Sequence, residues 1–220
     1  MKKICLLSGP DKTKYFNNKI TKEIKSLIDN PSSMVVIPAN PNNSEKNDKH
    51  FYGGENTLGV INTFKKIFPK LDNFVLLDSR ITKEKGKNAL KKADIIYLLG
   101  GDPFRQLKYL QDNNFNDIIC KSNGLIIGVS AGSMNLAVNS YYSKDEEYPQ
   151  SIFYKGLGIV DITIDPHFNI NNLDQVQEAK NNSKDNKIIG LPNESAVIIV
   201  DNNIKFIGIN YMFEHGDIIN

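Results

Sequence analysis

Short apolar segments alternate with longer amphipathic ones along this chain of 220 residues, and no other feature limits the fold as strongly. Each apolar segment has the length of a buried strand. In the segments between them, apolar residues such as Ile20, Ile24, Leu27 and Ile28 recur at intervals of three and four, as on one face of a helix. The sequence therefore predicts a three-layer α/β fold, with a mostly parallel sheet and helices on both faces.

The predicted elements follow directly from these patterns. The predicted strands are residues 4–7, 34–37, 74–77, 95–99, 125–129, 159–164, 196–200 and 204–209. The predicted helices are approximately residues 15–28, 57–68, 83–92, 103–110 and 173–180. No repeat or shift in composition divides the chain, so we expect a single domain over residues 1–220.

Two polar segments interrupt this pattern. Residues 40–54 form the most polar stretch and are predicted to be an exposed loop, with a lid or specificity loop as the alternative. Residues 139–150, here called the rim segment, follow the strongest motif of the chain and are candidates for the edge of a site.

Composition excludes several classes of function. The 27 basic and 25 acidic side chains leave a net charge of +2, and Arg80 and Arg105 are the only arginines, so nucleic-acid binding is not expected. Cys5 and Cys120 are too few for a zinc cluster and suit reduced, buried thiols. The first apolar segment is too short for a secretion signal, and no segment is long enough to span a membrane. We therefore expect a cytoplasmic protein without a membrane partner.

Ser130 is the central residue of Gly128-Val129-Ser130-Ala131-Gly132, a Gly-x-Ser-x-Gly sequence. An apolar predicted strand precedes it, and a helix-compatible segment follows. Strand, tight turn and helix are the setting of a nucleophile elbow, which exposes the serine at the carboxyl edge of a sheet. The backbone N–H of Ala131, at the start of that helix, is placed to stabilise an oxyanion. A serine that only caps the helix is the alternative.

A nucleophilic serine needs a base, and the chain contains three histidines. His167 follows a predicted strand and the stiff Asp165-Pro166 pair, which should bring it to the same sheet edge as Ser130. His50 lies in the polar segment. His167 is therefore the favoured base, with a turn histidine that makes only local hydrogen bonds as the alternative.

His215 is a second possible base. With Asp165 or Asp201 as the acid, it would give the serine, acid, histidine order of an ordinary α/β-hydrolase.

Two further segments are candidates for completing a site. A glycine pair follows the predicted strand 95–99 in Leu99-Gly100-Gly101-Asp102-Pro103. A backbone N–H there can serve as a second oxyanion donor or bind a phosphate, although the usual phosphate-loop patterns are missing. The segment Gly190-Leu191-Pro192-Asn193-Glu194 offers Asn193 or Glu194 as the group that orients the histidine.

Taken together, these segments resemble the dipeptidase E (aspartyl dipeptidase) family of serine peptidases, relatives of cyanophycinase. The matching pieces are Leu99-Gly100-Gly101-Asp102-Pro103, Gly128-Val129-Ser130-Ala131-Gly132, Ile164-Asp165-Pro166-His167-Phe168 and Ile189-Gly190-Leu191-Pro192, in that order along the chain. The resemblance implies a fold akin to class I glutamine amidotransferases, with the catalytic order serine, histidine, acid.

The resemblance also implies roles for individual residues. Ser130 would be the nucleophile, His167 the general acid and base, and the N–H groups of Gly101 and Ala131 the oxyanion hole. The expected activity is hydrolysis of short peptides through an acyl-enzyme on Ser130, without a metal or organic cofactor, by a monomer or homodimer.

The chain departs from the family at the orienting acid. In the family, a Glu directly follows the Gly-Leu-Pro stretch, whereas here Asn193 occupies that position and Glu194 comes next. We expect Glu194 to reach the histidine after a small shift, with Asn193 second and Asp145 of the rim segment third. Because a carboxylate is missing at position 193, a non-catalytic binding protein is an alternative to a peptidase, as is an esterase or amidase that uses His215.

A second departure concerns the substrate. Family members that cleave after an N-terminal aspartate use an Arg downstream of the histidine, and residues 168–188 contain none. The cations there are Lys180, Lys184 and Lys187. A lysine lacks the forked guanidinium group that pairs with a carboxylate, so aspartyl specificity is not expected.

Overall fold

The computed structural model describes residues 1–10, 16–54, 57–201 and 203–219. The helices of these residues are α1 (Asn18–Leu27), α2 (Ser44–Tyr52), α3 (Val60–Ile67), α4 (Lys83–Lys92), α5 (Pro103–Asp112), α6 (Asn116–Cys120), α7 (Ala131–Asn135) and α8 (Leu173–Asn182). The strands are β1 (Lys3–Leu7), β2 (Ser33–Ile37), β3 (Gly53–Gly54), β4 (Thr57–Leu58), β5 (Asn73–Leu76), β6 (Ile95–Leu98), β7 (Leu125–Val129), β8 (Asn139–Tyr142), β9 (Ile152–Lys155), β10 (Ile164–Pro166), β11 (Ile188–Leu191), β12 (Ala196–Val200), β13 (Asn203–Ile207), β14 (Tyr211–Glu214) and β15 (Asp217–Ile219).

A seven-stranded sheet in the order β13-β12-β1-β7-β6-β2-β5 forms the centre of the fold. The five strands from β1 to β5 in this order are parallel, and β12 and β13 add two antiparallel strands at one side. The register aligns Leu7 of β1 with Val129 of β7, and Leu98 of β6 with Gly128. The parallel strands β1, β7 and β6 therefore end side by side at one edge of the sheet. This is the edge at which sites on parallel sheets form.

Helices cover both faces of this sheet because successive strand residues point to opposite sides. In β1, Ile4 and Leu6 pack into one hydrophobic cluster, and Cys5 and Leu7 pack into the other. The first cluster includes residues of α4, α5 and α6, and the second includes residues of α1, α2 and α3. The predicted three-layer α/β fold is confirmed.

A second, four-stranded sheet in the order β10-β11-β14-β15 lies beside the first. Strand β10 pairs parallel to β11, with Pro166 opposite Leu191. Helix α8 contributes Ala179 to a small cluster that also contains Phe168 and Phe213. The turn 192–195 connects β11 of the small sheet to β12 of the large one, so the two sheets adjoin at the edge where the parallel strands end.

The polar segment 40–54, predicted to be a loop, contains helix α2 instead. Asn43 caps its amino end by accepting a hydrogen bond from the Lys46 N–H (3.1 Å), and Asn47 and Phe51 are buried. A cap and one buried aromatic side chain hold this helix to the core although most of its residues are polar. The loop prediction was therefore wrong.

Two other boundaries differ from the sequence prediction. Of the predicted strand 159–164, residue 164 alone begins a strand, and Val160 forms an isolated bridge with Ala137. The predicted helix 57–68 begins at Val60, because Thr57–Leu58 is strand β4 and Gly59 caps the helix. The start of the predicted first helix, at residue 15, lies outside the described residues.

Within the described part of the chain, none of the helices has the length and apolar character needed to cross a membrane.

Candidate active site

Ser130 lies at the sharp turn between β7 and α7, in the backbone conformation φ 49°, ψ −113°. A non-glycine residue at positive φ is strained, and such residues concentrate at functional sites. The turn depends on two glycines. A Cβ on Gly128 would lie 2.5 Å from the Ser133 nitrogen, and one on Gly132 would lie 2.3 Å from the Leu98 oxygen. The Ser130 N–H donates to the Leu7 carbonyl (2.8 Å), which fixes the turn to β1.

His167 follows β10 directly and reaches Ser130 with its ring. Its Nε2 lies 2.8 Å from the Ser130 Oγ, and its Nδ1 lies 2.7 Å from the Asn193 Oδ1. An amide oxygen accepts hydrogen bonds only, so Nδ1 carries the ring proton and Nε2 accepts from the serine hydroxyl. This tautomer is the one in which a histidine can remove a proton from a serine.

Asn193, rather than Glu194, makes the contact with His167 that the sequence analysis expected of Glu194. Glu194 adopts φ 65°, its N–H donates to the Gly9 carbonyl (3.1 Å), and its carbonyl accepts from the Asn17 side chain (3.0 Å). Glu194 adopts a left-handed backbone conformation, and Asn193, the residue before it, is the one whose side chain bonds to His167. The spacing of the sequence motif alone does not reveal this.

Asp145, the third candidate orienting group, is engaged within the rim segment. Its carboxylate accepts from the Tyr142 hydroxyl and from the Tyr148 N–H (2.7 Å).

The glycine pair after β6 lies against Ser130. A Cβ on Gly100 would be 3.2 Å from the Ser130 Cβ, and Gly101 has φ 136°, with its Cβ position 2.8 Å from the Ala39 Cβ. Asp102 caps α5 by accepting from the N–H groups of Phe104 (2.9 Å) and Arg105 (3.0 Å). The glycine pair and the amino end of α7 therefore lie beside Ser130, whereas the first N–H groups of α5 are already bonded to Asp102. The backbone N–H groups proposed to face an oxyanion are those of Gly101 and Ala131.

The two acids of the alternative site, Asp165 and Asp201, accept hydrogen bonds from other groups. His215 lies in the tight turn between β14 and β15. Asp201 accepts from the Lys2 N–H (2.9 Å), and Asp165 accepts from Ser143 (2.9 Å) and Gln175 (3.3 Å). His50 belongs to α2, where burial and two neighbouring lysines lower its pKa.

Asp165 is the most perturbed carboxyl near the site, being 1% exposed and two residues before His167. Burial raises its pKa to about 7, although the hydrogen bonds from Ser143 and Gln175 oppose the shift. It therefore titrates near neutral pH.

Two of the three lysines in residues 168–188 form ion pairs. Lys180 pairs with Asp217 (3.5 Å) and Lys187 with Glu214 (3.6 Å), both on the small sheet. Arg105, the arginine nearest the glycine pair, pairs through Nε with Asp102 (2.8 Å). Among the described residues, no group of three or more His, Cys, Asp and Glu side chains could hold a metal ion.

Ser8 and Gly9, at the end of β1, contact this site and were not singled out in the sequence. A Cβ on Gly9 would lie 2.5 Å from the Asn193 Oδ1 and 2.7 Å from the His167 Cε1. The available signal was the position of two small residues directly after a strand that ends at the same sheet edge as the serine strand.

Two solved structures share the fold of this chain. A peptidase E-type protein from Listeria monocytogenes EGD-e has a TM-score of 0.64 and 20% identity, over 95% of this chain and 99% of that chain. A peptidase from an acI-B1 Actinobacterium has a TM-score of 0.66 and 16% identity, over 98% of this chain and 91% of that chain. Both agree with the class I glutamine amidotransferase-like architecture.

The family comparison covers nearly the whole sequence. Residues 4–207 match the model of Peptidase family S51, from the first strand to the last strand of the large sheet. The match includes all the segments that carry the resemblance to dipeptidase E. We conclude that the chain belongs to peptidase family S51 and is a serine peptidase.

Proposed function

We propose that the protein hydrolyses short peptides through an acyl-enzyme on Ser130. The observation that carries the proposal is the continuous hydrogen-bonded line from Ser130 through His167 to Asn193, with 2.8 Å and 2.7 Å between the bonded atoms. A strained elbow at the start of α7 and the glycine pair beside the serine support the same chemistry.

In the first half of the reaction, the Ser130 Oγ attacks the carbonyl carbon of the scissile peptide bond while its proton passes to the His167 Nε2. The N–H groups of Gly101 and Ala131 stabilise the oxyanion that forms. His167 then donates the proton to the leaving amine, the C–N bond breaks, and an ester on Ser130 remains.

In the second half, a water molecule attacks this ester and gives up a proton to His167. The ester bond breaks, the serine recovers its proton, and the carboxylic acid leaves. Throughout, the Asn193 Oδ1 holds the Nδ1–H of His167. Because an amide carries no net charge, it stabilises the imidazolium less than a carboxylate would.

Aspartyl substrates are not part of the proposal. Residues 168–188 lack an arginine, and Lys180 and Lys187 already pair with acidic residues of the small sheet. The two cysteines are free, and Cys5 is buried, which fits the reducing environment of the proposed cytoplasmic location. The proposed form of the protein is a monomer or a homodimer.

The test is turnover of a panel of dipeptides and aminoacyl-amides by the wild-type protein and by Ser130→Ala, His167→Ala and His215→Ala. We expect Ser130→Ala and His167→Ala to lower kcat by at least about 10⁴-fold, whereas His215→Ala retains wild-type kcat. A fluorophosphonate should label the wild type at Ser130.

Three results would contradict the proposal. Equal hydrolysis by wild type and Ser130→Ala would exclude Ser130 as the nucleophile. Full activity in His167→Ala, together with loss in His215→Ala, would favour the esterase or amidase arrangement. Absence of both turnover and labelling would favour a binding protein that retains the fold.

A further inference from the structure

Ser8 is a buried polar residue to which the proposed mechanism assigns no role. It directly follows β1, is 0% exposed, and its N–H donates to the Ser195 carbonyl (3.1 Å). Because the Ser8 side chain is fully buried, its hydroxyl needs hydrogen-bond partners within the protein.

The Ser8 hydroxyl joins the two strands that deliver the histidine and its partner. It accepts a hydrogen bond from the His167 N–H (2.8 Å) and donates one to the Leu191 carbonyl (2.7 Å). A hydroxyl has one proton, so the bond to Leu191 directs that proton away and leaves a lone pair facing the His167 N–H. Leu191 ends β11, just before the turn that carries Asn193.

The backbone of His167 needs such a restraint. It adopts φ 59°, a left-handed conformation that a non-glycine residue keeps only when its surroundings hold it there. His167 is exposed, so few packed neighbours restrain it apart from these hydrogen bonds. Motion of its backbone would move Nε2 away from the Ser130 Oγ. The next N–H, of Phe168, donates to the same Leu191 carbonyl (3.1 Å).

Gly9 extends the same arrangement to Asn193. Its carbonyl accepts from the Glu194 N–H (3.1 Å), which fixes the turn after β11. Its missing side chain leaves room for the Asn193 Oδ1 and the His167 ring to meet, since a Cβ would lie 2.5 Å from that oxygen. The end of β1 thus restrains both members of the histidine–asparagine pair.

We propose that Ser8 is a positioning residue, which holds the His167 backbone so that its ring bridges Ser130 and Asn193. The inference rests on the proposed function of His167 as the general base. The two hydrogen bonds described for the Ser8 hydroxyl go to backbone groups, the Leu191 carbonyl and the His167 N–H. The effect of Ser8 is therefore on kcat, through the geometry of proton transfer.

The test compares Ser8→Ala and Ser8→Cys with Ser183→Ala. Alanine removes the hydroxyl, and cysteine replaces it with a somewhat larger thiol that hydrogen-bonds weakly. Ser183 is a matched control, because it is also 0% exposed and donates to a backbone carbonyl, that of Lys180 (3.0 Å), at the end of α8. We expect both Ser8 variants to lower kcat about 10- to 100-fold with little change in KM, and Ser183→Ala to keep the wild-type kcat.

A second measurement needs no substrate. The imidazole Nδ1–H of His167, bonded to Asn193, is observed by NMR in each variant. We expect its signal to shift or broaden in both Ser8 variants and to stay unchanged in Ser183→Ala. Wild-type kcat in Ser8→Cys, or a lower kcat with an unchanged imidazole signal, would overturn the inference. If the wild type shows neither turnover nor labelling, the proposed function fails, and the NMR comparison still decides the role of Ser8.

Discussion

At the scale of single residues, the candidate site includes three strained backbone positions. Ser130, His167 and Glu194 have φ values of 49°, 59° and 65°. The motifs predict all three as site residues, because the residue types and their order along the chain are informative. A carboxylate is the better partner of an imidazolium, which favours Glu194 over Asn193 on sequence alone. The structure reverses that order, since a left-handed residue redirects the chain in a way that motif spacing does not encode.

Substitution of Asn193 separates the two ways in which it can help His167. Asn193→Ala loses the acceptor for Nδ1–H, and we expect kcat to fall about 10²-fold because the ring and its tautomer are no longer held. Asn193→Asp keeps the acceptor and adds a negative charge. We expect kcat at least equal to wild type, with the acidic limb of the kcat/KM profile displaced to higher pH.

Steady-state kinetics from pH 5 to pH 9 give the comparison. A loss in Asn193→Asp as large as that in Asn193→Ala would mean that the amide nitrogen, rather than the oxygen, faces His167 in the working enzyme. In that case the assigned tautomer would be wrong.

At the scale of elements, the hydrophobic pattern predicted the main strands of the large sheet. It missed helix α2 and most strands of the small sheet. Strands β1, β2, β6, β7 and β12 are nearly continuous apolar segments, and all were found. Helix α2 was missed because Phe51 is its one buried apolar residue. Strands of the small sheet were missed or misplaced because their pairing partners lie far away in the sequence, and strand propensity depends on that context.

The turn between β6 and α5 gives a prediction at this scale. Gly101→Ala places a Cβ 2.8 Å from the Ala39 Cβ at φ 136°, so the turn must move. We expect a loss of about 1–3 kcal/mol in the free energy of unfolding. We also expect kcat to fall about 10²-fold or more, because the proposed oxyanion donor is displaced.

Gly158→Ala is the matched control for this turn. Gly158 has φ 72°, and apart from its chain neighbours no atom of the described residues lies within 4 Å of its Cβ position, so alanine there strains the backbone without crowding them. It should lower the free energy of unfolding and leave kcat unchanged. Urea unfolding and kinetics on both variants make the comparison, and equal kcat in both would argue against a role of the Gly101 turn in catalysis.

At the scale of the whole molecule, the site is assembled where two sheets adjoin. The large sheet contributes Ser130 and Gly101, and the small sheet contributes His167 and, from the turn after β11, Asn193. The end of β1 binds the two together through Ser8. The distance between serine and histidine therefore depends on how the sheets meet, which follows from the complete chain path and not from any one motif.

The buried carboxyl of Asp165 is expected to make the stability of this assembly depend on pH. Its carboxyl, on β10, holds Ser143 of the rim segment and Gln175 of α8, and the Gln175 oxygen accepts from the Asn169 N–H (2.9 Å). Burial raises its pKa to about 7 in the folded protein, above the value of about 3.9 in an unfolded chain. The folded state therefore holds this proton more tightly than the unfolded state does. The stability that protonation contributes is fully present below about pH 4 and is lost as the pH rises to 7.

Asp165→Asn removes the titration and keeps a polar side chain of the same size. We expect the free energy of unfolding of the wild type, relative to this variant, to fall by an amount on the order of 4 kcal/mol between pH 4 and pH 8. Urea unfolding at one-unit intervals of pH measures the difference. Asp161→Asn is the matched control for the loss of a carboxylate, because Asp161 is exposed and lies four residues before Asp165. A difference for Asp165→Asn that does not change with pH would contradict this prediction, because it would mean that the buried carboxyl stays ionised over the whole range.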